Sequence, residues 1–183
     1  GDASAREVAK TQPMKFASFE GLYDGQTNAP LIALGFMEKP TPPGMEREFA
    51  FKLEIPNMLS YMAFLSPNAF VPGIKDMIQG NPEQGITSYY TRIEQGKKAI
   101  SALADYKKYK REGNDKLALD ALKVFESNYQ YFGYGYYDDP KDLIPNVPLS
   151  FYSFHVMVIL GIHFGILFLL SLIAVYIFFE RYF

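Results

Sequence analysis

The chain has 183 residues, with 18 Lys and Arg against 20 Asp and Glu and a net charge of -2, so it presents no strong field for nucleic acid or for an anionic membrane surface. It has no cysteine, which excludes disulfides and thiolate metal sites, and its 2 histidines are too few for a His cluster built by the protein alone. It opens on "GDASAREVAK", with no initiator Met and no apolar signal segment, and closes on "FFERYF" just beyond an apolar run, so it reads as a piece of a longer protein.

Taken in chain order, Asp2 to Thr11 predicts a short helix. Pro13 suits the first turn of a second helix, capped by Thr11 and running to about Tyr23, before "DGQTNAP" breaks it. Ala29 to Phe36 is a short apolar run. In "FAFKLEI", Phe49, Phe51, Leu53 and Ile55 alternate with Ala50, Lys52 and Glu54, which predicts a half-buried strand and a small β-hairpin with "MEKPTPPGMERE" as its loop. Pro56 starts another short helix through Phe64, "SPNAFVPG" ends it, and "IKDMI" forms a brief turn. Ile86, Tyr90, Ile93, Ile100 and Leu103, then Leu117, Ala121, Phe125, Tyr129 and Phe132 after "REGND", recur at helical spacing and predict a helical hairpin. "YQYFGYGYYDDP" is too rich in Gly for a regular element and suits a cover lying on a membrane surface.

Between Asp142 and Glu180 there is no Asp, Glu, Lys or Arg, and Leu149 to Phe179 is dense in Leu, Ile, Val and Phe. Such a run exceeds the roughly 20 residues a bilayer crossing needs, and at about 1.5 Å per residue it reaches about 46 Å, so its first turns stand in the interface. Tyr152 and Tyr176 fit the aromatic belt. The expected fold class is mainly α: a helical loop domain with a small β-hairpin over residues 1–148, followed by one transmembrane helix over 149–180, the whole being part of a multi-span membrane subunit. Arg181 is the sole basic residue after the span, and long loops escape the positive-inside rule, so charge alone does not orient it.

Two stretches carry candidate chemistry. On the spanning helix, His155 and Met157 lie two residues apart, about 200° around the axis, so they face opposite ways and only one can ligate a given metal. Gly161 and Gly165 continue the Met157 side as a ridge of small residues that a flat ligand or another helix can approach, although a methionine on an apolar helix is ordinarily packing. His163 sits mid-span, where a histidine marks either an interior-facing role or a hydrogen-bonded structural one. In "KTQPMKFASFEGLYD", Lys15 and Glu20 are five residues apart, a poor spacing for a mutual ion pair. They form either a solvated helix face or the charged edge of a pocket walled by Phe16, Phe19 and Leu22.

"GDASAREVAKTQPMKFASFEGLYDGQ", "FAFKLEIPNML", "VPGIKDMIQG" and "IPNVPLSFYSFHVMVILG", in this order and spacing, resemble subunit I of the cytochrome bd quinol oxidases. The resemblance covers nearly all of this chain and part of that subunit, namely the outward-facing quinol-binding loop (Q-loop) and the helix that follows it. It implies that Met157 is the axial ligand of a haem b near the quinol site, with the second ligand and the other haems held by helices outside this chain. It implies that Lys15 and Glu20 serve quinol oxidation, and that His155 stands near the haem where the family usually has Arg. The implied partners are quinol, the remainder of subunit I, a second membrane subunit and the lipid bilayer. The implied location is a bacterial inner membrane with the loop on the periplasmic face.

Elementary chemistry is compatible with those roles. With the hydrocarbon centred near Phe164 to Leu169, Met157 lies about 12 Å above the midplane, on the loop side. A thioether ligand raises haem potential, and a carboxyl such as Glu20 in a partly apolar pocket gains the proton affinity that a general base requires. The piece alone is expected to be inactive. The competing expectation is a single-pass, non-enzymatic membrane protein whose soluble part binds a partner through Tyr129 to Tyr137.

Overall fold

Two short helices, α1 (Asp2–Thr11) and α2 (Pro13–Glu20), open a computed structural model that describes residues 2–39 and 46–182. Pro13 occupies the first turn of α2 as expected, but the residue before it, Gln12, takes the cap position and makes no side-chain cap. Thr11 is not the cap, because its hydroxyl donates back to the Glu7 carbonyl at 2.7 Å. The helix also stops short of Tyr23. Gly21 turns left-handed at φ +63°, and a Cβ there would press on Met37 Cε at 2.6 Å and Phe49 Cζ at 2.9 Å.

The hairpin forms from β1 (Leu31–Met37) and β2 (Phe49–Ile55), antiparallel and two-stranded. The centre of its connecting loop, residues 40–45, lies outside the described residues. Leu31 pairs with Ile55, Leu34 with Leu53 and Phe36 with Phe51, with irregularities between Ile32 and Leu34 and between Phe36 and Met37. The second irregularity inserts Ala50 and reverses the parity of β2, so that Phe49, opposite Met37, turns inward while Phe51, Leu53 and Ile55 turn outward. The expected half-buried strand is therefore not found: Phe51 and Leu53 remain 53% and 56% exposed.

Pro56 lies in a turn rather than a helix, and α3 (Met58–Phe64) begins after Asn57 at φ 60°. The "IKDMI" segment is a full short helix, α4 (Ile74–Gln79), because the Asp76 carboxylate accepts from the backbone N–H groups of Gly73 at 3.0 Å and Gly25 at 2.7 Å. The helical hairpin is present as α5 (Tyr89–Arg111) and α6 (Asp115–Asn128), each capped at its N-terminus, by Ser88 and Asn114 respectively. The buried side of α5 is Tyr89, Ile93, Gly96, Ala99 and Ala102, one step round from the expected stripe, and Tyr90 is exposed. The aromatic stretch that was expected to be irregular is a 3₁₀ helix, Tyr129–Tyr136. It lies close on α5, where Gly135 of this stretch and Gly96 of α5 let the two backbones touch and either Cβ would collide.

A second 3₁₀ turn, Pro140–Leu143, leads into α7 (Val147–Tyr182), 36 residues long. Its most apolar window has a mean hydropathy of 2.7 and is uncovered by the rest of the chain. The Ser171 hydroxyl within it is satisfied by the Leu167 carbonyl at 2.8 Å, as a lipid-facing hydroxyl must be. The loop domain packs around α2, which sends Phe16 into one buried cluster with Leu59 and Val71 and sends Met14 and Ala17 into another with Met77, Tyr89 and Val147. Through Val147 and Phe151 the start of α7 joins this core, so the helix and the loop domain are packed together at the point where the apolar run begins.

Candidate functional site

Glu20 is the last residue of α2 and only 4% exposed, because α2 is pinned on both sides by the two clusters and Gly21 bends the chain immediately after it. Its Oε2 is buried without a hydrogen-bond partner, and burial alone pushes its carboxyl up to about 8. The carboxyl borders a cavity of about 370 Å³ between the end of α2 and the inner face of the hairpin, walled by Tyr23, Ile32, Phe49 and Leu59. Lys52 and Glu54, paired at 2.7 Å, line the same cavity, with Glu46, Arg47 and Glu48 at its edge. In its ionised form a carboxyl with no fixed partner, facing a partly open cavity lined by charged side chains, can accept a proton from a bound hydroxyl and pass it to water.

Lys15 is not brought to this cavity. It is exposed on the other side of α2, its Nζ 5.5 Å above the Phe19 ring, and Phe19 stacks on Phe154 of α7 at 4.8 Å. Phe16, expected as pocket wall beside both charges, lies in the core instead. The cations at the cavity are Lys52 and Arg47, which spacing did not single out. The alternation of "FAFKLEI" held the signal, since its polar positions are the ones turned inward once Ala50 shifts the parity.

On α7 the two candidate residues do face apart. His155 is buried against the loop domain, its Nε2 at 2.7 Å from the Ile32 carbonyl of β1 and its Nδ1 at 2.8 Å from the Phe151 carbonyl. Met157 is 60% exposed on the opposite side. Cβ atoms placed on Gly161 and Gly165 would meet nothing within 4 Å, so the surface below Met157 is open.

The family described as Cytochrome bd terminal oxidase subunit I matches residues 1–183. This chain belongs to that family. It is 30% identical over 192 aligned positions to the cytochrome bd-II ubiquinol oxidase subunit 1 of Escherichia coli (strain K12), covering 95% of this chain and 33% of that protein. Among solved structures it is similar to the bd oxidase from Geobacillus thermodenitrificans at 22% identity, over 95% of this chain and 44% of that one, with a TM-score of 0.36. The chain thus spans about a third of the length of the curated relative it matches.

A subunit of this family works with haem, and the residues present fit one. Met157 offers a soft, unburied thioether above a ridge kept flat by Gly161 and Gly165, which suits a planar macrocycle with an iron at its centre. His155 does not compete for that position, since both its ring nitrogens are engaged with carbonyls on the other side of the helix. Among the described residues no cluster of His, Asp and Glu side chains forms a metal site of its own.

Proposed function

We propose that this chain is the quinol-oxidising portion of a cytochrome bd-type oxidase, an enzyme that carries electrons from quinol to oxygen. The observation that carries the proposal is Glu20, a buried acid with an unpartnered oxygen beside a cavity large enough for a quinol ring. In its ionised form Oε2 accepts the proton of a quinol hydroxyl, so the O–H electron pair stays on the ring oxygen and the ring becomes easier to oxidise. The apolar walls, Ile32, Phe49 and Leu59, would pack against the ring, while Glu46 and Glu48, which line the same cavity, would offer the released proton a route to solvent. When bound, a haem b held by Met157 and a ligand outside this chain would supply the electron acceptor.

Lys15, standing over the Phe19–Phe154 stack, is assigned to the approach of the quinol along α7 and not to its deprotonation. His155 acts by holding β1, and with it the cavity, against the helix that carries Met157. The loop over residues 1–148 stands on the periplasmic face of a bacterial inner membrane, and the remainder of subunit I with a second membrane subunit completes the enzyme. In the complete oxidase, Glu20→Gln lowers kcat with quinol by about 100-fold, the usual scale of a lost general base, while haem content and oxygen reduction from an artificial donor are kept. Lys15→Ala raises the apparent KM instead. Wild-type quinol kinetics in Glu20→Gln would remove the proposal.

A further inference from the structure

The hairpin is inside out for a water-exposed element. Its inner face carries the Lys52–Glu54 pair towards the cavity, and its outer face is formed by Leu34, Phe36, Phe51, Leu53 and Ile55, each 40% exposed or more. Cross-strand pairing makes this one continuous stripe: Leu34 faces Leu53, and Phe36 faces Phe51 with ring centroids 6.5 Å apart. No charged residue interrupts it, whereas scattered single apolar side chains would need no explanation.

We propose that this face lies against the lipid bilayer, at the boundary between headgroups and acyl chains, and fastens the quinol-site hairpin to the membrane beside α7. Depth is the first reason. The hairpin is tied to the first turns of the apolar run, through His155 Nε2 to the Ile32 carbonyl at 2.7 Å, through the Met37 N–H donating to Tyr152 Oη at 2.9 Å, and through Phe49 against Phe151 at 5.3 Å. With the hydrocarbon centred as above, helix rise puts His155 about 15 Å above the midplane, about 3 Å beyond Met157 and at the edge of a half-thickness of about 15 Å. The strands therefore stand at the depth where amphipathic elements rest with their apolar side in the bilayer.

Side is the second reason, and it rests on the assignment of Met157 to haem. The relative's length leaves two-thirds of such a subunit outside this chain, and the helices that complete the haem site must stand on the Met157 side of α7. The hairpin occupies the His155 side, about 200° away by helix geometry, with its apolar face turned from α7 altogether. At that depth, on the side away from the haem helices, lipid is the proposed occupant, and covering protein is the outcome that the test separates from it.

The test uses the full-length oxidase in lipid nanodiscs, with other cysteines replaced and a nitroxide on Phe51→Cys, Leu53→Cys or Lys52→Cys. Power saturation by oxygen, which partitions into lipid, is compared with saturation by a water-soluble nickel chelate. Labels at 51 and 53 are expected to be relaxed more by oxygen than by nickel, and the ratio is expected to invert at 52, which faces the cavity. Low access to both reagents at 51 and 53 would show that protein covers the face, and dominance of nickel would show water; either overturns the proposal. The Met157 assignment is judged separately, by the haem spectrum of Met157→Leu, so the two can fail independently.

Discussion

At the residue scale the decisive feature is that Glu20 is buried without a counter-charge. Its carboxyl binds a proton more tightly in the folded protein, at about 8, than in the unfolded chain, at 4.5. Between those values the unfolded state holds fewer protons than the native one, so stability is full below pH about 4.5 and falls as pH rises towards 8, by at most about 1.4 kcal/mol per unit. Glu20→Gln flattens that slope, which thermal melts of the oxidase at pH 5 and 8 will read. In the proposed role, catalysis would run the other way. The base form is about a tenth populated at pH 7 for a group titrating near 8, so quinol turnover is expected to climb through that range, and a profile already flat from pH 6 would contradict the role of Glu20.

The pair on α7 separates just as cleanly. Met157→Leu keeps volume and is expected to cost under about 1.5 kcal/mol, and on the proposed assignment it would remove a haem b ligand, which the low-spin absorption spectrum would report. His155→Leu would leave the proposed Met157 ligand in place but strands the buried Ile32 carbonyl, an expected loss of about 1–3 kcal/mol visible as faster proteolysis of the loop.

At the scale of elements, close backbone approach shapes the aromatic segment more than its side chains do. The 3₁₀ helix Tyr129–Tyr136 lies on α5 because neither Gly96 nor Gly135 carries a Cβ, and its rings then find Arg92, which stacks over Tyr89 and Tyr134 at 5.0 and 5.6 Å. Gly96→Ala would drive a methyl into the Gly135 backbone, which cannot rotate away as a side chain can. The expected cost is about 1–3 kcal/mol, read as a lower melting temperature, with the isolated α5–α6 pairing preserved. A Gly96→Ala protein as stable as wild type would mean that the contact is looser than its geometry. The same logic explains the hairpin: one inserted residue, Ala50, decides which side of β2 is apolar to the outside.

At the scale of the whole molecule, the loop domain and α7 form one packed unit at their junction, where Val147 and Phe151 are buried while the helix beyond is bare. A bare helix of that hydropathy demands lipid, so the chain is expected to stay with detergent or bilayer throughout purification. Recovery as a soluble monomer with residues 149–179 intact would contradict the span.

The sequence by itself determined the opening helices, the α5–α6 hairpin, the strand pair, the spanning run and the opposition of His155 to Met157, because each is a matter of local period or helix rise, whereas α4 and the Tyr129–Tyr136 3₁₀ helix were not legible there. Even so, its local signals misplaced the cap of α2 and the buried stripe of α5, since Thr11 turned to its own helix and Gly96 demanded the closest contact. Only the tertiary structure decided that Glu20 goes into a cavity while Lys15 goes to the outer side, that Lys52 and Arg47 are the cations at that cavity, and that the apolar face of the hairpin points away from the core. Five residues along α2 fix an angle between two side chains but not what lies across from them. What lies across comes from β1, β2 and α7, up to 140 positions later in the chain, as the reach from Lys15 over Phe19 to Phe154 illustrates, and such long-range packing leaves no mark in a local pattern.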